Sequence, residues 1–375
     1  MKRKNNLYQD MCNYKNIKEV YKIIRVRCSN YKYLYNFELF ENSNIYDILL
    51  KLYLKNYEFS KYHIFLIYEP KYRLIMSECI SDKIVNHLIS MYILYPSILP
   101  KLIDTNVATR KNMGSKKALD CLNKYLQKLL LLKNKEIYVL KIDIKKYFYN
   151  IDHEILLSKL KKDIKDKDAI NIIMQTLNMT NNKYINEEIK HAKNKEINRI
   201  FRLNISNNAK LKKIKEIRKI PFYHLGKGLG IGNMTSQILA IYYLNDIDHM
   251  IKEKFKCKYY IRYMDDLIIL DNDKEKLKMI FMEIKEEIKK LKLEVNDKSR
   301  IYKLNHGFSF LGYTFKSVNG KLNVRINNNT YRRIKKNLKK KSSLIDYKNS
   351  LISYKGLFMR VSNKGVYQNL INFNK

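Results

Sequence analysis

"KYYIRYMDDLIIL", residues 258–270, sets two apolar stretches on either side of Asp265 and Asp266. Short apolar runs bounded by turn residues read as strands, so the segment predicts a strand, a two-acid turn and a second strand. An isolated Asp-Asp pair is ordinary turn chemistry. What gives this pair weight is a third acid. "EIYVLKIDI" (136–144) is apolar on both faces, predicts a buried strand and reaches its end at Asp143. Carboxylates at neighbouring strand ends can hold two Mg2+ ions about 3.5–4 Å apart, the arrangement that stabilises attacking and leaving oxygens in phosphoryl displacement. Mg2+ takes few protein carboxylates and fills its shell with substrate phosphate oxygens, which suits a site of three acids.

Outward from these strands the chain reads as an ordered series. Upstream, "IYDILLKLYL" (45–54) has helical spacing, and "KYHIFLIYEPKYRLIM" (61–76) alternates as strand, turn, strand around Pro70. Helices are predicted over 82–94, capped by Asp82, and over 114–132, capped by Ser115. Residues 158–222 are lysine-rich and weakly periodic, a long helical excursion or insertion. A helix follows over 235–251. Another over 276–291 carries Leu277, Ile280, Phe281, Ile284, Ile288 and Leu291 on one stripe. "HGFSFLGYTF" (306–315) predicts a short strand pair, and "TYRRIKKNLKKK" (330–341) a basic helix with Ile334 and Leu338 inside. From 136 to 316 the order approaches a βαββαβ split unit.

Four of the chain's ten glycines fall in "GKGLGIGNMTSQ" (226–237). The run matches neither the GxGxxG of a dinucleotide fold nor the GxxxxGK[ST] of a P-loop. The net charge of +39 attracts polyanions, nucleic acid first. Richness in Lys, Asn, Ile and Tyr also follows from codon drift in an AT-rich genome, so only clustered charge marks a binding face. Five scattered cysteines without a CxxC argue against zinc and disulfides and fit a reducing cytoplasm. The basic start "MKRKNNLYQD" lacks the apolar stretch of a signal peptide, and no run approaches a membrane span. His87, His153 and His249 lack metal-ligand spacing and read as structural.

Together the motifs resemble bacterial reverse transcriptases, nearest to the group that includes diversity-generating retroelement enzymes. "YMDD" between apolar strands is similar to their polymerase motif, and "KIDIKKYFYNIDHEIL" to their first acidic motif. "GLGIGNMTSQ" resembles their glycine-bearing loop and following helix. "NDKSRIY" (296–302) and "FSFLGYTF" (308–315) resemble the two motifs downstream. "FLIYEPKYRLIM", "SDKIVNHLI" and "NVATRKNMGSKKALD" resemble the upstream finger motifs. The loop reads IGxxxSQ in that group and QGxxxSP in retroviral and intron enzymes. Here Ile231, Gly232, Ser236 and Gln237 follow the first pattern, with Gly230 where the family has Pro.

The resemblance implies an α+β, right-hand polymerase with a ferredoxin-like βαββαβ palm. The segments would be an N-terminal extension (1–60), fingers (61–136), palm (137–157), a fingers excursion or insertion (158–225), palm (226–316) and thumb (317–375), with no room for a further enzyme domain. It implies RNA-directed DNA synthesis with two Mg2+ ions, Mn2+ able to substitute. Asp143, Asp265 and Asp266 would be the ligands, together with the Ile144 carbonyl. Lys298 would be the general acid, and Lys71, Arg73 and Arg110 would hold the incoming triphosphate. Phe148 would be the steric gate against a 2′-OH. Ile231, Gly232 and Gln237 would lie along the nascent base pair, Gly232 letting backbone approach it closely. Gly312 and Tyr313 would grip the primer. Partners would be an RNA template, a DNA or RNA primer and dNTPs, with an accessory protein or structured noncoding RNA in some relatives and no membrane. Diversity-generating, retron-like and phage-defence settings stay open, as does a catalytically dead nucleic-acid-binding homologue, against which all three acids speak.

Overall fold

The computed structural model describes residues 5–28, 31–132, 136–341, 343–363 and 365–371. The basic start of the chain, residues 1–4, lies outside them. Two units are distinguished: residues 1–104, 144–248 and 286–294 form the first, and residues 105–143, 249–285 and 295–375 the second.

In the first unit the alternation around Pro70 produces a hairpin of β1 (His63–Tyr68) and β2 (Tyr72–Ser77). It is antiparallel from His63↔Ser77 to Tyr68↔Tyr72. Its inner residues Ile64, Leu74 and Met76 pack with Ile185, Ile189, Ile200, Ile214 and Ile217. These isoleucines lie on helices Lys183–Phe201 and Asn207–Arg218, so the lysine-rich stretch is helical as its composition suggested. Each buried isoleucine contributes about 1.5–3 kcal/mol, enough to fasten a highly charged insertion by one narrow stripe. Most of its lysines lie on the remaining surface, Lys193 being buried with its Nζ on the Ile220 carbonyl, and Lys213 Nζ stands 3.6 Å from the Tyr68 ring centroid.

The helix expected to start at Asp82 begins earlier, as Ile80–Leu88, with Cys79 as its cap. Cys79 Sγ accepts the Asp82 N–H at 3.4 Å. The Asp82 carboxylate has better donors elsewhere, the Tyr57 hydroxyl at 2.8 Å and the Ser60 N–H at 2.9 Å. A π-helical stretch, Ile89–Leu94, continues it.

In the second unit β3 (Tyr138–Ile142), β4 (Tyr259–Tyr263), β5 (Asp266–Asp271) and β6 (Arg300–Lys303) form one antiparallel sheet, in the order β4-β5-β3-β6. The predicted strand pair at 306–315 is present as β7 (Phe308–Phe310) and β8 (Tyr313–Val318). A strand not read from the sequence, β9 (Lys321–Ile326), pairs with β8 and completes a three-stranded sheet. Helix Ser115–Leu130 buries Ala118, Leu122, Leu126 and Leu129 in a core shared with Val139, Ile268, Phe310 and Phe315. Its cap is Gly114 at φ 106°, and Ser115 is already helical without a capping bond. The basic helix spans Asn328–Lys339 and buries Ile334 and Leu338 in the same core. Among the described residues no helix is long and apolar enough to cross a membrane.

Candidate active site

The pairing of β4 with β5 ends at Tyr263↔Asp266, which leaves Met264 and Asp265 as a two-residue loop. Met264 has φ 57°. A tight hairpin loop needs positive φ at its first position, normally glycine, so a side chain there stores about 1–2 kcal/mol of strain. The strain is met from beneath by Arg262, which is fully buried. Its guanidinium donates to the Met264 carbonyl at 2.9 Å. Its main chain is fixed as well, N–H to Thr105 O at 3.0 Å and carbonyl from Val107 N–H at 3.1 Å.

Next to β5 lies β3, with Ile142 opposite Leu267. One further step of that register sets Asp143 opposite Asp266. Asp143 is held by the turn 296–299. Its carbonyl accepts the Asn296 N–H at 2.7 Å, its N–H donates to Ser299 Oγ at 2.9 Å, and its carboxylate accepts from Asn296 Nδ2 at 2.7 Å.

The three acids repel one another. Burial first, then Asp266 and Asp143, push the Asp265 carboxyl up to about 7, while Arg262 pulls it back. Asp266 is raised too, by burial and by Asp143. Lys141, 3.5 Å away, opposes that shift. Such a cluster of hard oxygen donors wants a cation and fits Mg2+ by chemistry. It is not a closed cage: among the described residues no three acidic, His or Cys side chains are gathered to hold a metal. The Asp143 carboxylate is turned to Asn296 and that of Asp266 to Lys141. Ile144, next in the chain, is buried and belongs to the first unit.

The other expected residues are distributed over both units. Lys71 and Arg73 are exposed on the β1–β2 hairpin of the first. Arg110, in the second, donates to the Asn106 carbonyl at 3.0 Å. Lys298 is exposed, and its main chain donates to Asn296 Oδ1 at 3.1 Å within the turn that holds Asp143. Gly312 takes φ 86° between β7 and β8. Tyr313 is 3 % exposed, with its hydroxyl on the Leu357 carbonyl at 2.9 Å, so its side chain belongs to the core. Phe148, Ile231 and Gln237 are half-buried in the first unit.

The glycines of 226–232 answer to protein neighbours. A Cβ on Gly228, at φ 93°, would stand 2.5 Å from the Tyr223 ring. One on Gly232, at φ 134°, would stand 2.8 Å from the Met76 carbonyl. On its protein side Gly232 thus lies close against β2, where Met76 N–H donates to the Ile231 carbonyl at 2.8 Å. At Gly230 a Cβ would crowd Asn233 Nδ2 at 3.2 Å and the Tyr62 hydroxyl at 3.4 Å, which hydrogen-bond to each other at 2.7 Å. That bond gives the departure from proline a physical reason.

Behind the loop runs a buried polar chain. Thr235 Oγ1 donates to Asn86 Oδ1 at 2.8 Å, and Asn86 Nδ2 donates to Glu78 Oε1 at 2.5 Å. Burial, then Asp82, push the Glu78 carboxyl up to about 8. A folded-state value above the unfolded one means stability fully present below about 4.5 and lost as pH rises through about 8. Glu78→Gln keeps the acceptor without the charge. It should flatten the fall in thermal stability between pH 6 and 9 and, at pH 9, exceed the wild type by about 3 kcal/mol. Parallel melting curves for the two proteins would reject this.

Sequence reading missed Arg262, Asn296, Ser299 and Lys141. Arg262 had a signal, a lone cation inside an apolar strand. Asn296 and Ser299 lay in the quoted "NDKSRIY" motif, but nothing local showed that they hold Asp143. Of the three histidines read as structural, His87 Nδ1 lies 2.8 Å from the Lys83 carbonyl, His249 Nδ1 lies 2.6 Å from Glu253, and His153 is buried beside the glycine loop.

Comparison with curated proteins finds no match for this chain. Among solved structures it is similar to telomerase from Candida albicans in complex with a TWJ fragment of telomeric RNA. The identity is 12 % over 85 % of this chain and 56 % of that one, with a TM-score of 0.42. It is also similar to apo telomerase from Candida tropicalis, at 14 % identity over 74 % and 50 % of the two chains and a TM-score of 0.39. The chain thus spans about half the length of the solved structures it matches. Residues 67–315 match the reverse transcriptase (RNA-dependent DNA polymerase) family, a span holding the Met264 turn, the Asp143 strand and the glycine loop. A match of that extent, centred on the three acids, makes the chain a member of the reverse transcriptase family.

Proposed function

We propose that this chain is an active RNA-directed DNA polymerase, with Asp143, Asp265 and Asp266 as its catalytic carboxylates. The observation that carries the reading is the braced Met264–Asp265 turn. Strain, a buried arginine and carboxylates raised by burial and by one another meet at this turn, as expected of a functional site. Bound divalent cations would supply Lewis-acid stabilisation of the attacking and leaving oxygens. Asp143 and Asp265 would hold them from two strand ends, with Asp266 at the edge. Asn296 orients the Asp143 carboxylate, and Lys141 tempers the charge of Asp266. Lys298 is free to swing from its exposed position toward a leaving pyrophosphate. Lys71, Arg73 and Arg110 would meet the triphosphate, Phe148 the sugar, and Ile231 with Gln237 the base pair. Residues 61–136 and 158–225 would supply the fingers, 137–157 and 226–316 the palm and 317–375 the thumb, whose helix Asn328–Lys339 would contact phosphates without reading sequence. The IGxxxSQ loop favours a diversity-generating setting over a retron-like or defence one, and five free thiols suit a reducing cytoplasm.

Primer extension tests the reading. Purified protein on a primed RNA template should incorporate dNTPs with Mg2+ and stop in chelator. Template affinity should fall steeply between 50 and 200 mM salt through counterion release. No synthesis on any primed RNA or DNA would leave only the nucleic-acid-binding alternative. Ile231 is a second handle: an apolar side chain there cannot hydrogen-bond the incoming nucleotide. Ile231→Gln should lower misincorporation opposite template adenine by about fivefold. An unchanged error rate would remove this residue from base checking.

A further inference from the structure

The glycine loop is fastened within the first unit by main-chain bonds on two sides. Gly228 and Leu229 donate N–H to the carbonyls of Ile151 and Phe148, at 2.8 and 2.7 Å. Met76 donates to Ile231 at 2.8 Å. One side chain completes the fastening. His153 is buried at the start of helix His153–Asp163, and its Nε2 lies 2.7 Å from the Gly228 carbonyl. A carbonyl oxygen only accepts, so Nε2 carries the proton. Nδ1 is then the bare nitrogen, buried and without a hydrogen-bond partner. The His153 N–H holds the loop a second time, at the Gly226 carbonyl, 2.9 Å away. Thr180 Oγ1 lies 3.1 Å from the Gly228 carbonyl, while its one proton also has the Leu177 carbonyl at 3.0 Å. Ring and main chain of His153 together tie the start of its helix to two carbonyls of the glycine loop.

We propose that His153 is a positioning residue for nucleotide selection: by gripping Gly228 it locks the Phe148 segment to the Ile231 loop, so that one rigid element checks both sugar and base. The inference rests on the reading of Phe148 and Ile231 as nucleotide-facing. Without the grip, the two segments would remain joined by main-chain bonds but lose their fixed spacing. Both selections would then loosen together, chiefly through KM for the wrong nucleotide.

The test measures kcat/KM for a dNTP against its rNTP, and for correct against incorrect dNTP, on one primed RNA. It uses wild type, His153→Leu and His153→Gln, with thermal melting alongside. Leu removes the donor at similar volume, and Gln returns an N–H at similar reach. His153→Leu should lower both ratios by about tenfold, and His153→Gln should recover each to within about threefold of wild type. Ratios within about twofold of wild type in His153→Leu, or no recovery in His153→Gln, would overturn the inference. If His153→Leu does not fold, His153→Asn, whose shorter amide cannot reach the Gly228 carbonyl, is read by the same ratios. It should lower both by about threefold or more, and unmoved ratios would overturn the inference equally. A wild-type chain that incorporates nothing overturns the polymerase reading and this inference with it. An active wild type with unmoved ratios overturns this inference alone.

Discussion

Asp265→Asn is expected to lower dNTP incorporation by at least about 10^3-fold while making the protein harder to melt at pH 8. The two effects share one cause. The carboxyl is half-buried beside Asp266 and Asp143 and pushed up to about 7, so its ionised form is costly in the folded chain. The folded value lies above the unfolded one. The group therefore stabilises fully below about 3.8, and that contribution is lost as pH rises through about 7. Asparagine has the same shape and no charge. In chelator its melting midpoint should exceed wild type by about 2–5 °C at pH 8 and converge with it near pH 4. Single-turnover extension and thermal scans at the two pH values check both halves. Retained synthesis would remove Asp265 from catalysis. A lower midpoint at pH 8 would mean that the carboxylate is better solvated than its neighbours imply.

Arg262→Leu should act in the opposite direction on stability and in the same direction on activity. The guanidinium is fully buried and is the donor that holds the Met264 carbonyl. Removing it leaves that carbonyl without this donor, costing about 1–3 kcal/mol, and takes away the cation that offsets Asp265. Loss of one partner from a buried charged group costs about 3–5 kcal/mol in comparable settings, so about 3 kcal/mol is expected here. Synthesis should fall by about 100-fold or more as the turn relaxes from its strained path. Lysine should not rescue it, because a single ammonium cannot reproduce the guanidinium fork. Denaturant unfolding and extension rates on Arg262→Leu and Arg262→Lys check this. Full activity in the lysine variant would reduce Arg262 to a counter-charge.

The hairpin at 258–270 and the strand ending at Asp143 were legible because each carries a clean local signal, a turn or a polarity switch, whereas 158–222 was read as helical only from its lysine-rich composition and weak periodicity. The contacts that tune the acids were not. Asn296 and Ser299 meet Asp143 across more than 150 residues of chain, and such partners leave no local period. Both helix starts at 80 and 115 were misjudged for one reason. A side chain able to cap was assumed to cap, whereas Asp82 found donors from elsewhere and Ser115 had Gly114 before it. The glycine loop was legible as special, but its protein neighbour was not. Its bare Cα at 232 faces Met76, which only the fold brings there.

The loop's dependence on main-chain bonds has a practical meaning for laboratory evolution. Peptide groups at 228, 229 and 231 hold its path, and peptide groups are indifferent to most side-chain changes. Position 231 can therefore be randomised without dismantling the scaffold around it, whereas 228 and 232 will tolerate glycine alone. A library confined to that one codon would sample copying behaviours on a constant backbone.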